Sequence, residues 1–102
     1  MNFAGNLMQT IKFTFLSSLR DITRVDEIIL PIENNSTVNS VLEKLIIKFG
    51  KEFENRIYNS SEGINSYVLI ALNGKDISIY NGLKTEIKNG DELFLLPIIA
   101  GG

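Results

Sequence analysis

The sequence predicts a two-layer α+β domain, a mixed sheet with one main helix packed on one face. Three observations carry this. Residues 10–16 (TIKFTFL) alternate with a period of two, while Val38, Val41, Leu42, Leu45, Ile46 and Phe49 recur at helical spacing. The remaining apolar runs are short and bounded by turn residues. In chain order the elements are strand, strand, helix, strand, short strand, strand, and a helix that crosses after a hairpin can cover one sheet face.

In the first strand Ile11, Phe13 and Phe15 share one side, with Lys12 and Thr14 on the other, so one face is buried. A polar stretch, residues 17–26, contains the turn. Residues 27–32 (EIILPI) form a second strand, where Pro31 marks a sheet edge or a strand end. Strands joined this closely pair as an antiparallel hairpin. Asn34, Asn35, Ser36 and Thr37 are four consecutive candidate caps for the helix that follows, and Gly50 stands where a left-handed C-terminal cap would go. Phe53 and Ile57, four apart, extend a shorter helical segment, and residues 59–66 read as a polar loop.

Residues 67–72 (YVLIAL) are almost continuously apolar, as in a central strand. Asn73-Gly74 favours a type I′ turn, and residues 76–80 (DISIY) alternate as a short strand. Asn89-Gly90-Asp91 is another turn before the last strand, residues 92–96 (ELFLL), which Pro97 stops. With the first and last strands parallel at the centre, this order gives the β-grasp, or ubiquitin-like, arrangement; that pairing is a fold-level analogy. The expected organisation is an N-terminal extension (1–9), the domain (10–97) and a C-terminal tail (98–102).

Composition narrows the chemistry. The chain of 102 residues is 44% hydrophobic and 22% charged, which suits one folded domain rather than disorder. It has no cysteine and no histidine. A disulfide framework, a thiolate nucleophile, the commonest general base and the commonest metal ligands are therefore absent. A net charge of −2 without a basic cluster gives no nucleic-acid footprint. No apolar run approaches the ~20 residues of a membrane span, and the first nine residues lack the features of a secretory signal, so cytoplasmic residence is expected.

The close carboxylate pairs, Asp26-Glu27, Glu52/Glu54 and Asp91-Glu92, lie at turns and strand ends and read as solvated charge. Ser17-Ser18 and Ser60-Ser61 have no histidine to activate them, and neither GxGxxG nor GxxxxGK[ST] occurs. No catalytic or metal-binding residue is expected. The C-terminus differs: the chain stops at Gly101-Gly102, directly after a strand and a short apolar tail. Two glycines can simply be a frayed end. They can also thread a channel too narrow for any side chain, presenting only the α-carboxylate. Activation by ATP makes that carboxylate an acyl donor, and sulfur carried as a thiocarboxylate needs no cysteine.

Several segments resemble the small subunit of molybdopterin synthase (the MoaD family), particularly its archaeal group that grades into the small archaeal modifier proteins. Ile11–Phe15 running into Leu19-Arg20-Asp21-Ile22-Thr23 is similar to "FxxLRExxG", and Thr37-Val38 with Leu42 to "TVxxLLxxL". Asn73-Gly74-Lys75-Asp76-Ile77 resembles "VNGxxV", and Gly82-Leu83-Lys84-Thr85 resembles "GLxT". Residues 89–97, leading to Gly101-Gly102, are similar to "DGDEVxxFPPVxGG". Two departures stand out: Pro97-Ile98 replaces Pro-Pro, and Leu96 replaces the aromatic before it. The ending Ile99-Ala100-Gly101-Gly102 is also similar to the thiamin sulfur carrier ThiS. Met8 stands where family members often begin.

The resemblance implies a sulfur carrier of molybdenum or tungsten cofactor synthesis. An E1-like adenylyltransferase, with its own ATP site and often a zinc, adenylates Gly102. A thiocarboxylate forms there, and the tail Pro97, Ile98, Ile99, Ala100 and Gly101 enters the large subunit of molybdopterin synthase. Catalytic side chains belong to the partners. Leu96 and Phe94, sharing one strand face, are the expected docking surface, with Arg20 as the family arginine. The same terminus suits a ubiquitin-like modifier joined to target-protein lysines, and a plain β-grasp interaction module is the third reading.

Overall fold

The computed structural model describes residues 9–59, 63–64 and 67–98. Along the chain come β1 (Gln9–Phe15), α1 (Ser18–Thr23), β2 (Glu27–Ile32), α2 (Val38–Phe49), α3 (Lys51–Ile57), β3 (Tyr58–Asn59), β4 (Gly63–Ile64), β5 (Val68–Leu72), β6 (Lys75–Asp76) and β7 (Glu92–Pro97). The main sheet has the order β2-β1-β7-β5-β6. β1 and β7 run parallel, with Phe13 opposite Leu93 and Phe15 opposite Leu95, and the other neighbours are antiparallel. This is the β-grasp fold that the element order predicts.

The period of two decides which face the helices cover. Ile11, Phe13 and Phe15 of β1, Ile70 and Leu72 of β5, and Leu93 and Leu95 of β7 are all buried on the inner face. Val38, Val41, Leu42 and Leu45 of α2 close over them, each fully buried. A buried aliphatic side chain of this size stabilises the fold by roughly 1.5–3 kcal/mol, so this layer contact is the main favourable term. Phe15 meets Phe49 and Phe53 edge-on, at ring centroid distances of 5.4 and 6.0 Å, which pins α3 to the same core.

Local chemistry sets the element ends. Of the four candidate caps Thr37 is the one used. Its Oγ1 accepts from the Ser40 amide (3.2 Å), and the Ser40 hydroxyl oxygen accepts from the Thr37 amide (2.9 Å), a reciprocal capping box. Gly50 does end α2, its N–H donating to the Ile46 carbonyl, but at φ 94° and ψ −167° rather than in the left-handed helical region. Positive φ there still calls for glycine. Pro31 lies on edge strand β2, where its missing N–H breaks no ladder.

Four expectations need correction. Residues 17–26 are not only a turn, because α1 occupies Ser18–Thr23 with Leu19 buried against α3 and β7. A six-residue helix with only Leu19 and Ile22 packed on the core is too short for periodicity to reveal it. The strand expected over residues 76–80 stops at Asp76, whose carboxylate accepts from the Ser78 amide (2.8 Å) and starts a 3-10 turn, Ile77–Ile79. Ile77 is then buried while Ile79 is exposed, so their alternation was not that of a strand. Within the loop expected at 59–66, β3 and β4 pair as a two-residue ladder, Tyr58 opposite Ile64. Gln9, placed in the extension on sequence, is the first residue of β1.

Ser17, which turns the chain from β1 into α1, has φ 58° and ψ −132°. A side chain at such a positive φ costs on the order of 1–3 kcal/mol and persists only where the surroundings enforce it. Here Leu16 is held by donating its N–H to Leu95 (3.1 Å), and the Ser17 carbonyl accepts from the Arg20 amide (3.0 Å). Ser17→Gly is expected to raise the urea midpoint by an equivalent of about 1 kcal/mol at unchanged slope. A lower midpoint would show that Ser17 is not strained.

Candidate functional site

Alternation along β7 places Leu93 and Leu95 in the core and Phe94 and Leu96 on the outer face, each partly buried. Register brings Leu69 opposite Leu96 and Ala71 opposite Phe94 from β5. With Leu16 and Gly74 these residues line a shallow hollow of about 230 Å³, almost entirely apolar. Ala71 and Gly74 make it concave, because neither fills the space between the larger side chains. An outward apolar surface built from adjacent strands at one spot, rather than scattered, is the character of a protein-docking surface.

Across the sheet from this hollow the face becomes charged. Lys12 Nζ lies 3.5 Å from Glu27 and 3.7 Å from Glu92, beside the exposed Ile29 of β2.

The tail leaves beside the hollow. Leu96 is its last lining residue, Pro97 closes β7, and the Ile98 amide donates to the Tyr67 carbonyl. That bond anchors the start of the tail to the domain. Ile99, Ala100, Gly101 and Gly102 lie outside the described residues. Arg20 is not part of the hollow. Its guanidinium faces Asp26 at 3.6 Å with both groups largely in water, a pair that contributes roughly 0–1 kcal/mol.

Two segments that resembled family motifs turn out to be one interlocked joint. Asn73 (φ 52°) and Gly74 (φ 88°) form the positive-φ pair of a type I′ turn. The Asn73 side chain donates to Asp91 Oδ1 (3.0 Å) and accepts from the Glu92 amide (2.9 Å). Asp91 Oδ2 accepts from the Lys88 amide (2.8 Å), and Asn89 Oδ1 accepts from the Thr10 amide (2.8 Å). Asp91 is thus a structural tie between β5, β7 and β1 rather than merely solvated charge. The other carboxylates scatter: Glu27 and Glu92 serve Lys12, Asp26 faces Arg20, and Glu54 pairs with Lys51. Among the described residues no group of three or more metal-ligating side chains converges, and no helix is long and apolar enough to cross a membrane.

Sequence reading found Phe94 and Leu96 but missed Leu16, Leu69, Ala71 and Gly74. The signal was present in residues 67–72, which are apolar on both faces although only one meets the helices.

The profile of the ThiS family matches residues 13–102. The chain belongs to the ThiS family. It is 33% identical over 66 residues to a putative sulfur carrier protein of Archaeoglobus fulgidus, covering 65% of this chain and 74% of that one. It is 29% identical over 92 residues to the molybdopterin synthase sulfur carrier subunit of Arabidopsis thaliana, covering 90% and 82%. The solution structure of small archaeal modifier protein 1 from Methanosarcina acetivorans superposes with a TM-score of 0.80 at 27% identity, over 93% of this chain and 98% of that one. This ThiS-family chain therefore stands with the sulfur carriers and ubiquitin-like small modifiers, which are non-catalytic proteins.

The two faces of β7 in the ThiS-family chain respond differently to substitution. Leu95→Ala, in the core, is expected to cost about 2–5 kcal/mol, and Leu96→Ala, at the hollow, less than about 1 kcal/mol. Urea unfolding of both variants checks this; equal losses would contradict the assignment of Leu96 to an outer docking face.

Proposed function

We propose that this chain carries sulfur on the α-carboxyl group of Gly102 and delivers it in molybdopterin synthesis. The observation that supports this reading most is the apolar hollow on β7 at the point where the tail leaves the domain. A partner that seats on Phe94 and Leu96 receives the residues after Pro97 directly into its own active site. Gly101 and Gly102, lacking Cβ atoms, fit a channel that admits only backbone.

The chemistry runs through partners. A carboxylate oxygen of Gly102 attacks the α-phosphorus of ATP on an E1-like adenylyltransferase, pyrophosphate leaves, and an acyl adenylate forms. The terminal sulfur of a persulfide attacks the acyl carbon and AMP departs with the bonding pair. A second thiol then attacks the donor-side sulfur of the acyl disulfide, which breaks the S–S bond, releases the thiocarboxylate and leaves a disulfide between that thiol and the donor. In the large subunit of molybdopterin synthase that sulfur passes to the cyclic pyranopterin precursor. This chain contributes the terminus, its length of reach and the docking face; the ATP site and any zinc belong to the adenylating partner. The likeness to a small archaeal modifier favours a second reading, in which a lysine amine rather than sulfur takes the acyl group.

The test is reconstitution with the E1-like enzyme and ATP, read as pyrophosphate exchange. The full chain is expected to support exchange, and a chain lacking Gly101 and Gly102 none. Leu96→Asp is expected to raise the KM by about tenfold or more, as for an interface anchor contributing at least ~1.4 kcal/mol, with kcat little changed. Exchange that survives the truncation would overturn activation at Gly102. Failure of the thiocarboxylated chain to yield dithiolene with the large subunit would overturn the molybdopterin assignment alone.

A further inference from the structure

β5 has an unfinished edge. Across the Asn73-Gly74 turn Leu72 is the closing partner of Lys75, so its N–H and C=O point toward β6. The Asn73 amide donates the other way, to the Glu92 carbonyl of β7 (2.8 Å), which fixes the alternation. The N–H and C=O of Ile70 and Val68 therefore point toward the β6 side as well. β6, however, ends at Asp76, opposite Ala71, because the Asp76 cap turns the chain into the 3-10 turn. Beyond that point no strand pairs with Val68–Ile70 on this side among the described residues.

The edge is a recess rather than an open rim. Val68 and Ile70 turn their side chains into the core, and a groove of about 390 Å³ runs along them, with Ile64, Ile77 and Leu83 among its lining residues. Ladder groups left without a strand partner template a further strand. Asp76 is the charged residue in the groove. Pairing with Ala71 puts it on the outer sheet face, and it is exposed. Leu69 borders both this groove and the apolar hollow, so the edge is continuous with the docking face.

We propose that the edge of β5 accepts an extended segment of a partner protein as a further strand, with an apolar side chain turned inward beside Ile70 and a basic one turned outward beside Asp76. The backbone supplies the binding, through the N–H and C=O of Val68 and Ile70. The side-chain pattern supplies the choice of segment, apolar inward and basic outward on successive residues. This inference does not rest on the sulfur-carrier reading, since it uses neither Gly102 nor the tail.

Amide hydrogen exchange of the full, isotope-labelled chain tests it, with a capped heptapeptide of alternating lysine and valine as probe. In the free chain the Val68 and Ile70 amides are expected to exchange at least about tenfold faster than those of Leu69 and Ala71, which pair with β7. Millimolar peptide is expected to slow Ile70 selectively. N-methylation of the peptide residues that face β5 is expected to abolish the effect, and N-methylation of the alternate residues to leave it. Asp76→Asn keeps the helix-turn cap and is expected to weaken binding about two- to fivefold, the scale of one exposed ion pair. Val68 and Ile70 amides as slow as their neighbours in the free chain would overturn the proposal. So would protection by peptide confined to the outer hollow, protection nowhere, or protection that follows protein concentration without peptide, which would mean a second copy fills the edge.

Discussion

The parallel pairing of β1 with β7 is the constraint on which the rest of the structure depends. These strands lie at opposite ends of the described chain, so all the other elements fall within the connection between them. A parallel neighbour cannot be reached by a tight turn, and here the crossover includes α2 and α3, which cover the inner face. Long-range pairing of this kind carries a large loop-closure cost before any contact rewards it, which makes its formation a late and slow folding event. The pairing also decides where function sits. It sends the C-terminus out at the same end as the β1–α1 turn, beside Leu16, so the tail starts at the rim of the apolar hollow.

The sheet has two faces with different tasks. Inward residues of β1, β5 and β7 are sealed by α2 and are worth several kcal/mol to the fold. Outward residues form an apolar hollow over the β5–β7 strip, while β1 and β2 carry the Lys12 ion pairs beside an exposed Ile29. The interlocked turns at Asn73 and Asp91 hold that strip in register from the far end, where Gly74 also lines the hollow. Strain is concentrated at the near end, in Ser17 next to Leu16. The surface is thus clamped at both ends and has no need of a titrating or metal-binding group.

Much of this was legible in the sequence because one physical signal dominated each element. The alternation of Ile11, Phe13 and Phe15, the helical spacing from Val38 to Phe49, and the Asn73-Gly74 turn each specified a structure that appears as read. What escaped had weak or competing signals. α1 is six residues long, with only Leu19 and Ile22 packed on the core. Residues 76–80 alternate like a strand, but the Asp76 side chain bonds the Ser78 amide and diverts the backbone, a local cap overriding propensity. The hollow depends on Ala71 and Gly74 being small, and absence of bulk leaves no pattern.

The intact mass of the protein purified from its native cell tests the central claim most directly. The account predicts a fraction in which one sulfur replaces one oxygen, mapped to the peptide ending in Gly102. A wholly unmodified carboxylate, together with Gly-Gly remnants on lysines of other proteins, would contradict it and identify a modifier instead.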